Sequence, residues 1–479
     1  MNWNEQQEAA FSVTEYEDCS VAIEALAGTG KTTTIVEASN RIDPDKTTTF
    51  VAFNKSIVTE LQSRLASNIR ASTLHTMGLK NLQYAARSNG GGELTVDTFK
   101  NRNIYRTLRM NPELESAVMR LVSLGKTTDQ RNPDFSDLMD RFEVVVEADK
   151  INDTLELAAQ VFNASNNSRK TIDFDDMIYF PAMGYCGMYK SDVLFVDERQ
   201  DLNPAQIALL KRAVKPSGRV IAVGDEHQAI YGFRGAAINS MAQMVADFRM
   251  KVMPLTTCYR CGRTIIELAQ QIVPDIQAAP NAIDGEVVYS NIGKKLYTTL
   301  KDDDLVLCRT NAPLVSTALQ CIAHGVRAQI RGRDIGKSLE TLMNKVQRKY
   351  IADSLPQFLA SLQDYAMNEM AKLMAADKMG PAATLNDQVE TIVALAEGAD
   401  TIADINKRIA TIFADNVTGV TLSSVHRAKG TEADSVYIIR PDLMPHPMAK
   451  TAWQREQEMN LKYVAITRAK RLLTIVNGC

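Results

Sequence analysis

The chain has 479 residues, is 45% hydrophobic and 23% charged, and carries a formal net charge of −3. At roughly 100–200 residues per domain this allows two to four domains, and the composition excludes a large disordered or low-complexity protein. The near-neutral charge gives no general sign of a nucleic-acid or membrane surface, although a local basic groove remains compatible with it. Seven unevenly spaced cysteines do not make a disulfide framework. The opening MNWNEQQEAAF lacks a basic stretch followed by an apolar one, so no signal peptide is expected. No run of about 18 apolar residues predicts a membrane span. The expected compartment is a reducing cytoplasm, or a host cell's cytoplasm if the source is viral.

In chain order, residues 21–26 form an apolar run that breaks into Ala27-Gly28-Thr29-Gly30-Lys31-Thr32, and residues 33–39 suit a helix. Strand, glycine loop and helix in that order are the setting of a phosphate loop. Residues 49–53 form a second apolar run, ending at Asn54-Lys55. From about 80 to 190 a Gly90-Gly91-Gly92 break gives way to mostly helical patterning. Runs at 192–196 and 219–223 then end at Asp197-Glu198 and Gly224-Asp225. Each predicted strand delivers polar residues at its carboxyl end, where a parallel α/β sheet holds its ligands.

The second half repeats this grammar. Residues 305–308 end at Arg309-Thr310-Asn311, residues 420–425 end at His426, and runs at 436–439 and 472–476 follow. Residues 337–416 read as helices, and no second glycine-rich loop occurs. The expected fold is α/β, with two P-loop-type lobes built on parallel sheets. Each sheet is interrupted by a mainly helical insertion, and one nucleotide is expected.

Chemistry follows from the loop. Glycines let backbone N–H groups close around phosphate oxygens, Lys31 reaches the β- and γ-phosphates, and the Thr32 hydroxyl meets Mg²⁺. Asp197 at a strand tip suits the Mg²⁺ shell, and Glu198 suits orientation and deprotonation of an attacking water. Gln228, after the next strand, is a candidate for contact with the γ-phosphate and its water.

The order of these segments resembles superfamily 1A DNA helicases of the UvrD/Rep/PcrA type, nearly end to end. Asn4-Glu5-Gln6-Gln7-Glu8-Ala9 looks like the Q motif, and Ala27 to Thr32 like motif I. Ala52-Phe53-Asn54-Lys55 and Ser72-Thr73-Leu74-His75-Thr76 are similar to motifs Ia and Ib. Asp197-Glu198-Arg199-Gln200-Asp201 resembles motif II, and the stretch from Val223 to Ala236 resembles motif III. Cys258-Tyr259-Arg260 matches motif IV with Cys where Asn is usual, and segments 425–432 and 463–470 match motifs V and VI. Asp173-Phe174-Asp175-Asp176-Met177 is similar to a family segment ahead of motif II, and a structural role is expected for it.

This resemblance implies two RecA-like lobes using ATP and Mg²⁺. It implies an ATP site of Gln6, Ala27, Gly28, Thr29, Gly30, Lys31, Thr32, Thr33, Tyr259 and Glu432. Gln6 would read adenine and Tyr259 would stack on it. Arg260 and Arg468 would act as arginine fingers on the γ-phosphate, a role worth about 10³–10⁵ in rate. DNA contacts would come from Asn54, Lys55, His75, Tyr231, Phe233 and His426, with aromatic faces for bases and polar groups for phosphates. Partners would be single-stranded and tailed duplex DNA; protein partners are not legible, and no membrane is implied. The expected domains are lobe 1A at 1–79 and 191–255, insertion 1B at 80–190, lobe 2A at 256–336 and 417–479, and a reduced insertion 2B at 337–416.

Cys258-x-x-Cys261 lacks a second matching pair and reads as chance rather than as a metal or redox site. No nuclease module or docking tail is expected after residue 476. Three activities stay open. The first is a 3′→5′ DNA helicase, with polarity from the family. The second is a single-strand translocase that strips bound proteins and unwinds little. The third, a nucleotide-binding module or kinase without DNA, leaves motifs Ia, Ib, III and V without purpose.

Overall fold

The computed structural model describes residues 2–52, 54–88, 93–108, 111–230, 240–414 and 418–477. They form two compact units, Met1–Thr256 and Thr257–Cys479. The first unit begins with α1 (Glu5–Tyr16), β1 (Val21–Ala25), α2 (Lys31–Asn40), β2 (Thr48–Ala52), α3 (Lys55–Gln62) and β3 (Ile69–Thr73). A mainly helical stretch follows: α4 (Leu74–Ser88), β4 (Thr95–Val96), α5 (Lys100–Thr107), α6 (Glu115–Thr127), α7 (Phe135–Arg141), α8 (Ile151–Asn167), β5 (Thr171–Ile172) and α9 (Phe174–Ala182). The sheet resumes with β6 (Ser191–Val196), α10 (Pro204–Ala213), β7 (Val214–Gly224), α11 (Ser240–Phe248) and β8 (Lys251–Leu255).

The six main strands run parallel in the order β3-β2-β6-β7-β1-β8. Strand alternation explains their apolar runs. Ile23, Phe50, Phe195 and Ile221 pack into one core with Phe11 and Ile35 of α1 and α2. Their chain neighbours Ala22, Val51, Leu194 and Val220 face a second core shared with Tyr179, Phe180 and Leu209. Helices cover both faces, so polar side chains have no place except at the strand ends.

The second unit contains β9 (Thr257–Cys258), α12 (Arg263–Ala269), β10 (Gln277–Ala278), β11 (Glu286–Ser290), β12 (Leu305–Cys308), α13 (Ala312–Ala323) and β13 (Ala328–Arg331). Its helical stretch is α14 (Arg333–Tyr350), α15 (Leu355–Ala375), α16 (Met379–Ala396) and α17 (Ile402–Ile412). It ends with β14 (Phe413–Ala414), β15 (Val420–Ser424), β16 (Ala433–Ile439), α18 (Ala452–Ile466) and β17 (Ala469–Val476). Seven parallel strands form its sheet, in the order β11-β17-β16-β12-β15-β13-β14. Val306, Ile330 and Leu422 of that sheet share a core with Leu339, Phe358 and Ile405 of the helices. The architecture is the expected α/β one, two parallel sheets each carrying helices inserted between its strands.

Residue 80 falls inside α4 and residue 336 inside α14, so each of these helices runs across an expected boundary without a break. Within the first insertion, Lys126 Nζ lies 2.5 Å from Asp176 Oδ1 and Lys100 Nζ lies 2.7 Å from Asp176 Oδ2. All three side chains are buried, and Ser165 accepts from both lysines. Asp173 caps α9 through Asp176 N, and burial pushes its carboxyl up to about 6. The DFDD segment is thus a structural ion cluster with α9 built on it. Beside it, α4 and α9 touch at Gly78: a Cβ there would lie 1.7 Å from the Met177 carbonyl oxygen.

Candidate functional site

In the first unit the loop after β1 turns through two residues with left-handed backbone, Gly28 at φ 70° and Gly30 at φ 80°. A side chain would strain both positions. Gly30 is also the N-cap of α2, so Lys31, Thr32 and Thr33 occupy that helix's first turn, where unpaired N–H groups favour an anion. Thr29 Oγ1 donates to Leu26 O at 2.8 Å and pins the loop. Ala27 is buried at its base.

Side chains from three strand ends meet here. Lys31 Nζ donates to Ala25 O at 2.9 Å and lies 3.4 Å from Asp225 Oδ2, which follows β7. Thr32 Oγ1 lies 3.5 Å from Asp197 Oδ2, which follows β6. Gln228 Nε2 donates to Asp225 Oδ2 at 2.6 Å. Glu198 takes a left-handed φ of 54° and accepts from Gln200 Nε2, whose own Oε1 accepts from Asp225 N at 3.1 Å. One network therefore links Lys31, Glu198 and Gln228 through Asp225 and Gln200.

Asp197 is only 4% exposed. Burial, and then the Glu198 carboxylate, push its carboxyl up to about 7. A carboxylate so destabilised has much to gain from a divalent cation, and the Thr32 hydroxyl beside it is a second hard oxygen donor. These residues fit Mg²⁺. Among the described residues no group of three or more His, Cys, Asp or Glu could hold a metal, so Mg²⁺ here would complete its octahedral shell with water or substrate oxygens.

Gln6 sits at the same carboxyl end of the sheet, where β8 ends beside β1. Its Oε1 accepts from Thr256 N at 2.9 Å and its Nε2 donates to Thr256 Oγ1 at 3.0 Å. Thr33 Oγ1 accepts from Arg64 Nη2 at 3.2 Å. Asn54 caps α3, accepting from Ile57 N at 2.9 Å, so its side chain is already engaged, whereas Lys55 is exposed. His75 is the second residue of α4, which follows β3 directly, and burial pushes its imidazole down from the usual range. Its ring meets the Phe174 ring edge-on at 6.4 Å. Phe174, 54% exposed at the start of α9, is an aromatic face that sequence reading set aside as structural. Tyr231 and Phe233 lie outside the described residues.

The second unit gathers its own group. Arg260 Nε lies 2.5 Å from Glu432 Oε2, and Lys470 Nζ lies 2.8 Å from Glu432 Oε1. Burial works to raise the Glu432 carboxyl, but the Lys470 hydrogen bond and the Arg260 charge bring it below the usual range. Arg468, 1% exposed, donates to Val464 O at 3.0 Å and Thr431 O at 3.1 Å. Burial, then Arg260, bring its guanidinium down to about 10. Tyr259 is 48% exposed beside them, and His426 follows β15. Arg260, Arg468, Tyr259 and Glu432 therefore fall in one neighbourhood of this unit.

Residues 3–249 match the family description UvrD/REP helicase N-terminal domain, and residues 419–476 match UvrD-like helicase C-terminal domain. The chain belongs to the UvrD/REP helicase family. F-box DNA helicase 1 of Gallus gallus is 25% identical, covering 95% of this chain and 47% of its own length. F-box DNA helicase protein 1 of Schizosaccharomyces pombe is 22% identical, over 95% of this chain and 55% of its own. ATP-dependent DNA helicase UvrD2 of Mycobacterium tuberculosis is 24% identical, over 65% of this chain and 52% of its own. The chain spans about half the length of these curated relatives.

Proposed function

We propose that this UvrD-like protein is an ATP-dependent DNA helicase that translocates along single-stranded DNA, with 3′→5′ polarity. The observation that carries this reading is the convergence of Lys31, Thr32, Asp197, Glu198 and Gln228 at the carboxyl ends of β1, β6 and β7.

In the proposed reaction the loop N–H groups and Lys31 hold the ATP phosphates, and Gln6, Tyr259 and Glu432 take the base and ribose. Glu198 accepts a proton from the attacking water, and Gln228 orients that water. Arg260 and Arg468 stabilise charge on the transferring phosphoryl group. Thr32 and Asp197 would hold Mg²⁺, which when bound neutralises charge on the phosphate oxygens. On the DNA side, Lys55, His75, Tyr231, Phe233 and His426 would contact the strand, and Phe174 joins them as an exposed ring next to His75. Single-stranded and tailed duplex DNA are the proposed partners, in the cytoplasm or in a host cell's cytoplasm. Work in DNA replication or repair fits this activity. The proposed domains are 1A at 1–79 and 191–255, 1B at 80–190, 2A at 256–336 and 417–479, and a reduced 2B at 337–416.

A second reading, a translocase that strips proteins and unwinds little, is favoured by the size of the second insertion, four helices from Arg333 to Ile412. ATP hydrolysis with and without single-stranded DNA, beside unwinding of 3′- and 5′-tailed duplexes, separates them. No stimulation by DNA rejects both readings. Stimulation without strand separation selects the translocase. Unwinding only from a 5′ tail overturns the polarity.

A further inference from the structure

The turn after β6 holds a charged side chain that the hydrolysis chemistry leaves unused. Arg199 stands between Glu198 and Gln200 and is 0% exposed. Among the described residues its one ion pair runs to Glu24 of β1, with Nη2 donating to Oε1 at 3.3 Å. Nε and Nη1 are buried without a hydrogen-bond partner. Burial drives the guanidinium down from its usual range, against the pull of Glu24. The Glu24 side chain is half exposed, so water supports its charge. A buried guanidinium with empty N–H positions lowers stability, because its lost hydration is not replaced. Packing alone does not explain an arginine here, since an unbranched apolar side chain would fill the space without that penalty.

The sheet order shows what the arginine reaches. Strand β7 lies between β6 and β1, and Glu24 is in register with Gly224, the last residue of β7. Gly224 has no side chain, and a Cβ there would lie 2.6 Å from Arg199 Cγ and close to Gln200 Oε1 as well. The arginine stem thus rests on the end of β7 while its guanidinium is tied to β1. One side chain joins the three neighbouring strands that lead into the phosphate loop, Asp197–Glu198 and Asp225. Glu198, one residue earlier, has its left-handed backbone at φ 54°, which a non-glycine residue keeps only when its surroundings fix it. Its N–H donates to Asp197 Oδ1 at 2.9 Å and its carboxylate accepts from Gln200 Nε2, both contacts within the turn. Gln200 Oε1 ties the turn to Asp225 N at 3.1 Å, and Arg199 adds the longer tie to β1.

We propose that Arg199 is a positioning residue that lowers stability while clamping the turn after β6 across β7 to Glu24, and so holds the Glu198 carboxylate in place for hydrolysis. Its effect on rate rests on the ATPase reading above; the clamp itself does not.

Arg199→Met in the full chain keeps the stem and removes the charge. Its DNA-stimulated kcat should fall about tenfold or more, as displacement of a reacting group predicts, with KM for ATP within a few-fold. Its urea midpoint should hold or rise. Glu24→Ala instead leaves the guanidinium buried without its partner, so the midpoint should fall, and adding Arg199→Met should restore it. The kcat of that double variant should be no lower than that of Arg199→Met. Hydrogen–deuterium exchange without nucleotide should quicken at residues 198–202 in both single variants. An unchanged kcat in Arg199→Met overturns the positioning role. A midpoint that falls as far in Arg199→Met as in Glu24→Ala overturns it too, since the residue would then merely support the fold. Losses of kcat that multiply in the double variant overturn the pairing with Glu24. A wild-type chain without hydrolysis rejects the ATPase reading instead, and exchange then decides the clamp alone: an unchanged rate at 198–202 rejects it.

Discussion

The Lys31 ammonium lies 3.4 Å from the Asp225 carboxylate, and the strands that precede these two residues, β1 and β7, are direct neighbours in the sheet. Asp225 also accepts from Gln228, so one carboxylate aims the phosphate-binding lysine and the candidate water-orienting amide together. Lys31→Ala should lower hydrolysis by about 10²-fold or more while leaving single-strand affinity within a few-fold. Equal loss of both would mean the variant is misfolded. Asp225→Asn keeps an acceptor for Gln228 but not the ion pair, and should cost about tenfold in rate. Steady-state hydrolysis and fluorescence anisotropy on an oligonucleotide measure both.

Phe174→Ala should weaken single-strand binding by about 1–3 kcal/mol, the usual worth of one stacking ring. The ring is half exposed, so the melting temperature should barely move. Unchanged affinity would remove Phe174 from the DNA track.

Asn54 offers a different test, because its carboxamide is the N-cap of α3. Asn54→Asp preserves the cap, whereas Asn54→Ala should cost about 1 kcal/mol of stability. If the residue also lies near a DNA phosphate, the aspartate should lower affinity most at low salt. Equal affinity for wild type and Asn54→Asp across a salt series would leave Asn54 a cap alone.

Lys126→Met strips Asp176 of one of two buried lysines. Removing one partner of a buried ionic group typically costs about 3–5 kcal/mol, since charge is left uncompensated. Urea denaturation should report a lower midpoint with an unchanged slope. A neutral result would mean that water reaches the cluster.

Much of this was legible in the amino-acid order. The apolar runs at 21–26, 192–196, 219–223 and 305–308 correspond to central strands, because burial on both faces leaves no room for polar alternation. The edge strands β3 (IRAST), β8 (KVMPL) and β11 (EVVYS) were harder, since each carries charge or hydroxyls on a partly exposed face. The pairing of Asp225 with Lys31 was not legible, because the two residues are 194 positions apart in the chain and meet only through the sheet order. Phe174 was masked by the acidic residues around it, which turn inward to two lysines far away in sequence.

The contact at Gly78 has a mechanical consequence. At Gly78 backbone meets backbone with only the Pro181 ring close by, so the spacing of α4 and α9 there is set by main chain and leaves little room to change. His75 and Phe174 ride on the leading ends of these helices, and α9 is anchored through Asp176 in the ion cluster. A bulkier residue at Gly78 would therefore have to part α4 from α9 at the point where His75 and Phe174 are brought together.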